Sequence, residues 1–274
     1  MTSILITGGS GFLGEGLIDA LLRMEYVDRI CVYSRSEYRQ FQLRQRYPFT
    51  RLRWFIGDVR DVDRLRRAMY GVDTVIHAAA LKRIEVGEYN PSEMFATNIQ
   101  GSQNVLDAAE QANVRRAVLV SSDKAYQPVS PYGISKAAAE ALFRQHSGRL
   151  ETAVVRYGNV AGSTGSVIPL WRAMGPEVTI TDIRCTRFWM TRDEAVGFVL
   201  AAAGGGVLNR QVVVPRTLPA FCIADLAVAM GKTYREIGLP MHEKRHESMD
   251  HDLSSDKARR MSVYELKEAL KNVP

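Results

Sequence analysis

The chain has 274 residues, 46% hydrophobic and 24% charged, with a formal net charge of +6, a size and balance that suit one globular domain or a main domain with a smaller lobe. Its three dispersed cysteines, Cys31, Cys185 and Cys222, exclude a disulfide framework and a thiolate metal site, and its scattered Lys and Arg argue against a nucleic-acid partner. No signal-peptide pattern opens the chain and the most apolar stretch, 195–208, is too short and glycine-rich to span a bilayer, so the expected location is cytoplasmic with no membrane partner.

In chain order, 3–7 is a short apolar run closed by glycines, the pattern of a buried parallel strand, and 12–25 carries apolar residues at helical spacing. Residues 29–34 and 53–57 read as the second and third strands, 62–69 as a helix and 74–77 as the fourth strand. A long helical pattern covers 91–112. It is followed by a strand at 117–122, a helix at 135–144 and a strand at 152–156. This alternation predicts an α/β fold with a doubly wound parallel sheet of the Rossmann type and right-handed crossovers.

After Gly158 the pattern becomes irregular, except for a helix over 191–203 and a capped helix over 262–270. The expected organisation is a dinucleotide-binding domain of 1–158 plus about 191–203, and a smaller C-terminal substrate lobe of 159–190 and 204–274. The charged stretch 242–260 has loop character and is expected to be partly mobile.

Thr7-Gly8-Gly9-Ser10-Gly11-Phe12-Leu13-Gly14 follows the first strand and opens a helix. Glycine lets such a turn tighten and bring its backbone against a pyrophosphate at the helix N-terminus, which nominates Gly8, Gly11, Phe12, Leu13 and Gly14 as cofactor-binding. The second strand ends in Ser34-Arg35-Ser36, with Arg39 one turn on, rather than in the acidic residue that holds an NAD ribose. Arginine there suits a 2′-phosphate, so NADP is favoured over NAD, with Ser34, Arg35 and Arg39 in contact. Asp58 and Val59, after the third strand, are placed to meet the adenine edge.

Ser122-Asp123-Lys124 and Tyr132-x-x-x-Lys136 put a hydroxyl, a carboxyl, a phenol and two ammonium groups within fifteen residues. Tyr132 and Lys136 share a helical face, and a lysine beside a phenol is expected to lower the tyrosine pKa for proton transfer at a carbinol. The added Asp123-Lys124 supplies a second acid and a second base, which hydride transfer alone does not need. His242-Glu243-x-x-His246 matches a zinc-binding spacing, but Pro240 precedes it and a third ligand is not evident, so no metal is expected.

Together with 77–82 (His-Ala-Ala-Ala-Leu-Lys), Asn98, Arg156-Tyr157-Gly158-Asn159-Val160, Gly165-Ser166-Val167-Ile168-Pro169 and Thr186-Arg187-Phe188-Trp189-Met190-Thr191, these motifs closely resemble the inverting UDP-N-acetylglucosamine 4,6-dehydratases, which are extended short-chain dehydrogenases. The resemblance runs from the glycine loop to about Pro215 and returns at 243–247. It implies hydride transfer from C4 to NADP while Tyr132, aided by Lys136 and with Ser122 near the 4-oxygen, removes the hydroxyl proton. Lys124, neutral in its pocket, then takes the C5 proton, Asp123 protonates the leaving 6-hydroxyl, hydride returns to C6, and reprotonation inverts C5. It further implies that Ala78, Ala79, Ala80 and Asn98 meet the cofactor, that Lys82, Asn159, Ser166, Val167, Arg187 and Glu243 bind a UDP-N-acetylhexosamine, and that the chain forms a homo-oligomer, for which the helices at 91–112 and 135–144 are the candidate interface.

The chain departs from the family at 239–247, where a basic residue before Pro240 is missing, His242 replaces glycine, and little sequence follows. Uridine recognition is the reading this affects. Two other functions share the fold: a nucleotide-sugar 4-epimerase, which has no use for Asp123 and Lys124, and a non-catalytic NADP-binding protein, against which the intact set of Ser122, Asp123, Lys124, Tyr132 and Lys136 speaks.

Overall fold

The computed structural model describes residues 2–274. The first half alternates strictly: β1 (Thr2–Thr7), α1 (Phe12–Leu22), β2 (Val27–Ser34), α2 (Glu37–Arg46), β3 (Leu52–Ile56), α3 (Val62–Ala68), β4 (Thr74–His77). Then come α4 (Ile84–Tyr89) and a helix that starts as α5 (Pro91–Phe95), passes through a π turn at Ala96–Gln100 and continues as α6 (Gly101–Gln111). β5 (Arg116–Ser122), α7 (Pro131–Gln145) and β6 (Glu151–Tyr157) complete the alternation. The later elements are β7 (Asn159–Val160), α8 (Val167–Ala173), β8 (Glu177–Ile180), β9 (Thr186–Met190), α9 (Arg192–Ala203), β10 (Gln211–Val213), β11 (Ala220–Cys222), α10 (Ile223–Ala229), β12 (Thr233–Glu236) and α11 (Val263–Lys271).

Seven strands form one all-parallel sheet in the order β10-β6-β5-β4-β1-β2-β3. Its strands are apolar on both faces because helices cover both. Along β1, Ile4 and Ile6 face the layer of α1 and α9, whereas Leu5 faces the layer of α3, α6 and α7. The lobe has a three-stranded sheet, β11-β9-β7, and a parallel pair, β12-β8, around a separate core that includes Trp171, Ile180, Phe221 and Leu266.

Three local outcomes differ from the sequence reading. β10, within the 204–274 stretch expected to be mostly lobe, pairs with Ala153–Val155 as the seventh strand of the main sheet. Only three residues long, it is too short to announce itself by periodicity. Helix α2 was missed because it carries no clean apolar stripe: Tyr38 and Phe41 are exposed while Gln40 is buried beside Leu43. Gln40 is buried and donates to Ser34 O, Ser34 Oγ and Phe55 O at 3.1, 2.8 and 2.9 Å. Helix α7 begins four residues earlier than expected. Pro131 occupies its first turn, where a missing N–H costs nothing, and the Ser130 hydroxyl caps Gly133 N at 3.2 Å.

The stretch 242–260 is pinned rather than loose. Thr186 bridges to His246, and the Ser255 hydroxyl meets Thr186 Oγ1 at 2.7 Å and accepts from Glu247 N at 2.9 Å. Arg156 donates to Met249 O, and Glu247, Met249 and Ser255 are all buried. Of its charged side chains, Glu243, Lys244 and Glu247 face inward, whereas Arg245, Asp252, Asp256, Lys257, Arg259 and Arg260 stay exposed.

Two glycines test the packing in opposite directions. A Cβ on Gly14 would lie 2.4 Å from Gly9 O, inside the glycine turn, whereas one on Gly197, within α9, meets nothing within 4 Å. Gly14→Ala should lower the unfolding free energy by about 1–3 kcal/mol, and Gly197→Ala should raise it by roughly 0.5–1 kcal/mol, as read by denaturant melts of the two variants.

Candidate active site

Every strand of a parallel sheet ends at the same edge, and the residues singled out from sequence follow those ends. The glycine turn follows β1, Ser34-Arg35 ends β2, Asp58-Val59 follows β3, Ala78–Ala80 follow β4, and Ser122-Asp123-Lys124 ends β5. Gly8 has φ +70°, and a Cβ there would sit 2.8 Å from Ala79 N, so the turn and the β4 loop touch through backbone. A Cβ on Gly11 would meet only Gly8 O, and this residue caps α1 with no side-chain hydrogen bond. The first N–H groups of α1 therefore face a cradle that suits a dinucleotide pyrophosphate. Phe12 stacks under Arg192, with the guanidinium 5.4 Å from the ring centroid.

At the end of β2, Arg35 and Arg39 are exposed, and the Ser34 hydroxyl is taken by Gln40. Asp58 pairs with Arg60 at 2.8 Å. Burial raises the Asp58 carboxyl, but hydrogen bonds from Arg60, with Arg35 adding its charge, bring it below its ordinary range. Val59 is buried against Gly101, so its side chain serves the packing of the third loop.

Asn98 was expected to meet the cofactor, and it does not present its amide to the cleft. It is buried in the π turn, accepts from Leu81 N at 2.8 Å and donates to Leu81 O at 2.8 Å and Ser135 Oγ at 2.9 Å. The one-residue bulge of the π turn brings it there, and it ties the β4 loop to α7. Below it runs a buried polar chain: Ala79 N to Thr7 Oγ1, Thr7 Oγ1 to His77 Nδ1 at 2.7 Å, His77 Nε2 to Ser102 Oγ at 3.1 Å, and Ser102 Oγ to Asn98 O at 2.6 Å. Burial, aided by the Lys136 charge, drives His77 down to about 3, so this ring is a neutral structural link.

The acid–base groups converge beside β5. Ser122 Oγ donates to Asp123 Oδ1 at 2.9 Å, and Lys124 Nζ lies 3.1 Å from that oxygen. Lys124 Nζ also lies 3.2 Å from Glu247 Oε1, while Lys244 Nζ lies 2.8 Å from Glu247 Oε2. Asp123 is 0% exposed and its Oδ2 has no hydrogen-bond partner in the chain. Burial, with Glu247 adding to it, raises the Asp123 carboxyl against the pull of Lys124. Glu247 is equally removed from water, yet Lys124, Arg187 and Lys244 together bring it down to about 2.

Two sequence expectations are corrected here. Lys124 is not neutral at rest: burial opposes its charge, but Asp123 and Glu247 outweigh burial and hold the ammonium above its ordinary value. Tyr132 is not brought down toward neutrality. Burial raises its phenol, and the groups pulling it back are Lys124 and Ser122 rather than Lys136. Lys136 instead donates to Val120 O at 2.7 Å, and burial lowers it to about 8 against the charge of Glu140.

The cluster opens into a cavity of about 260 Å³ between the sheet edge and the lobe. Lys124, Asn159, Val167, Arg187, Glu243 and Glu247 are among the residues lining it. Asn159 Oδ1 and Ser166 Oγ are buried with no partner in the chain, which leaves them free for a polar ligand. Arg187 is buried, donates to Thr186 O and Arg245 O at 2.8 and 3.0 Å, and pairs with Glu243. Lys82 does not line this cavity and stands exposed on the β4 loop. Glu247 and Lys244 were missed from sequence. The signal lay within reach, Lys244 inside the His242-Glu243-x-x-His246 pattern and Glu247 one residue beyond it. The two histidines of that pattern diverge, His242 toward Glu88 and His246 to Thr186, and among the described residues no cluster suits a metal. Among them, too, no helix is long and apolar enough to cross a membrane.

Comparison with known proteins follows the same lines. The sequence model of a polysaccharide biosynthesis protein family matches residues 4–267. An inverting UDP-N-acetylglucosamine 4,6-dehydratase of Campylobacter jejuni is 41% identical over 268 residues, which is 93% of this chain and 78% of that protein. A UDP-glucose 4-epimerase of Rickettsia massiliae is 37% identical over 264 residues, covering 90% and 77%. The X-ray structure of Pen from Bacillus thuringiensis has a TM-score of 0.93 at 32% identity and covers 100% of this chain and 98% of its own.

The buried tie at Asn98 carries a direct expectation. Asn98→Leu leaves Leu81 N and O without their partners, so it should cost about 2–4 kcal/mol of stability. It should also weaken dinucleotide binding, read by calorimetric titration, because the loop that touches Gly8 is no longer held.

Proposed function

The chain belongs to the polysaccharide biosynthesis protein family, and we propose that it is a nucleotide-sugar 4,6-dehydratase acting on UDP-N-acetylglucosamine with a nicotinamide dinucleotide, NADP in preference to NAD. The observation that carries this reading is Lys124 on the cavity wall with Asp123 and Tyr132 beside it, a second acid and base that an epimerase does not use. The residues around the glycine cradle fit the dinucleotide: Gly8, Gly11 and the uncapped start of α1 suit its pyrophosphate, and Arg35 and Arg39 suit a 2′-phosphate. When bound, the nicotinamide accepts hydride from C4 of the sugar and returns it to C6.

The chain's own residues do the rest. Tyr132 exchanges a proton with the 4-hydroxyl, with Lys124 and Ser122 the neighbours that favour its phenolate against burial. The ketone formed at C4 acidifies the C5–H bond. Lys124 reaches its basic form by passing a proton to Asp123 along their 3.1 Å contact, and Asp123 then delivers that proton to the departing 6-hydroxyl. The C5–H electron pair becomes the C5–C6 double bond, the C6–O pair leaves with water, and Lys124 holds the C5 proton as ammonium. Return of a proton from Lys124 to the opposite face of C5 inverts that centre. Arg187, Asn159 and Ser166 hold the sugar nucleotide, with Arg187 exchanging Glu243 for the pyrophosphate. The 4-epimerase reading is favoured by the Rickettsia similarity and would use Tyr132 and Lys136 alone.

Mass spectrometry and proton NMR of UDP-N-acetylglucosamine incubated with the protein in D₂O test this, with NADP⁺ and NAD⁺ supplied separately. Loss of one water, deuterium at C5 and the arabino configuration are expected, faster with NADP⁺. Lys124→Met should reduce water loss by about 10²–10⁴-fold. A galacto product without water loss would establish the epimerase instead, and deuterium-free C5 of unchanged configuration would remove the inversion.

A further inference from the structure

Glu247 enters the site from outside the dehydrogenase domain. It lies on the pinned stretch that follows β12, buried to 2% exposure, and its carboxylate reaches the ammonium of Lys124 at 3.2 Å. The far oxygen lies 2.8 Å from the Lys244 ammonium, an ion pair without hydrogen-bond geometry, and Lys244 itself donates to Tyr126 O at 2.9 Å. The glutamate backbone is fixed as well: Glu247 N donates to Ser255 Oγ and Ser255 N donates to Glu247 O at 2.8 Å. So many constraints on one buried carboxylate give it a single position, against the amine that faces the cavity. Burying it would be costly without compensation, and three cations, Lys124, Lys244 and Arg187, supply that.

We propose that Glu247 is a positioning residue of the acid–base pair: its carboxylate directs the Lys124 amine into the cavity and balances the positive charge Lys124 gains on taking the substrate proton, which leaves Asp123 to serve as the acid. This inference rests on the dehydratase reading of the same site. Once its proton has passed to Asp123, Lys124 enters the elimination neutral and leaves it as ammonium, while Asp123 enters as a carboxylic acid and leaves as a carboxylate. Within that step positive charge reappears on Lys124 3.2 Å from a fixed negative group, which stabilises the ammonium formed. With the positive charge shared by Glu247, Asp123 is relieved of acting as sole counter-ion.

The groups facing Asp123 and Lys124 come from four elements: Ser122 on β5, Tyr132 on α7, Arg187 on β9, and Glu247 and Lys244 on the pinned stretch. Asp123 and Lys124 titrate as a coupled pair, active when the two share one proton. A fixed negative charge beside them raises both of their titrations, and removing it lowers both. The direction follows directly: without Glu247 the whole pH window for elimination moves to acid. Removing the positive charge of Lys244 moves it to alkaline.

The test is the rate of water loss from UDP-N-acetylglucosamine against pH for the wild-type holoenzyme and for Glu247→Gln, Glu247→Asp and Lys244→Met. Glu247→Gln is expected to displace both limbs of the profile to acid by about one pH unit or more, Glu247→Asp to restore them in part, and Lys244→Met to displace them in the opposite sense. A Glu247→Gln profile slowed by one constant factor with both limbs in place would overturn the proposal, because a merely structural residue lowers the rate without moving the titration. If Glu247→Gln does not fold by circular dichroism, Lys244→Met decides: an alkaline displacement supports the proposal, and unmoved limbs overturn it. Absence of water loss from the wild type would instead count against the dehydratase reading itself.

Discussion

One buried ammonium shared by two buried carboxylates organises this molecule. Lys124 sits between Asp123 and Glu247, and neither acid has bulk water to fall back on. Two like charges around one cation cannot be equally satisfied, so their environments separate them. Glu247, with Lys244 and Arg187 on its other sides, takes the role of permanent anion. Asp123, with Lys124 as its one close cation, becomes the carboxyl most ready to carry a proton. Two buried carboxyls beside one ammonium are thereby set to opposite charge preferences by ordinary side chains.

Much of the rest of the fold serves to hold that cluster. The parallel sheet brings Asp123 and Lys124 to an edge where every loop is free to carry chemistry, and α7 brings Tyr132 and Lys136 alongside. The lobe contributes Arg187 from β9, and the stretch after β12 contributes Glu247 and Lys244. Cluster and clamp are one assembly: the three cations Lys124, Lys244 and Arg187 stand against the three carboxylates Asp123, Glu243 and Glu247. A neutral total lets so many charges leave water together, although the price of removing any single member is high.

The fold and the dinucleotide cradle were legible in the sequence because both are written locally. A parallel strand buried on both faces is a short apolar run, and a phosphate turn is a set of glycines at fixed offsets after one. Tyr132, Lys136, Asp123 and Lys124 were legible for the same reason, being neighbours in sequence as well as in space. What escaped is long-range. Glu247 lies more than a hundred residues from Lys124, in a stretch whose charges read as solvated loop, and only the fold turns this one inward. The charge states of Lys124 and Tyr132 escaped likewise, since they depend on a carboxylate and on burial that no spacing reveals. Helix α2 and strand β10 were missed because one buries a glutamine and exposes two aromatics and the other is three residues long.

The separation of the two acids is the claim on which the account stands, and it is open to direct observation. Carboxyl carbon NMR of the wild-type protein, labelled at aspartate and glutamate side chains and titrated with acid, follows Asp123 and Glu247 individually. The account predicts that Glu247 stays ionised down to about pH 2 while Asp123 takes up its proton well before it, above the ordinary aspartate range. The reverse order, with Asp123 the last to protonate, would contradict it.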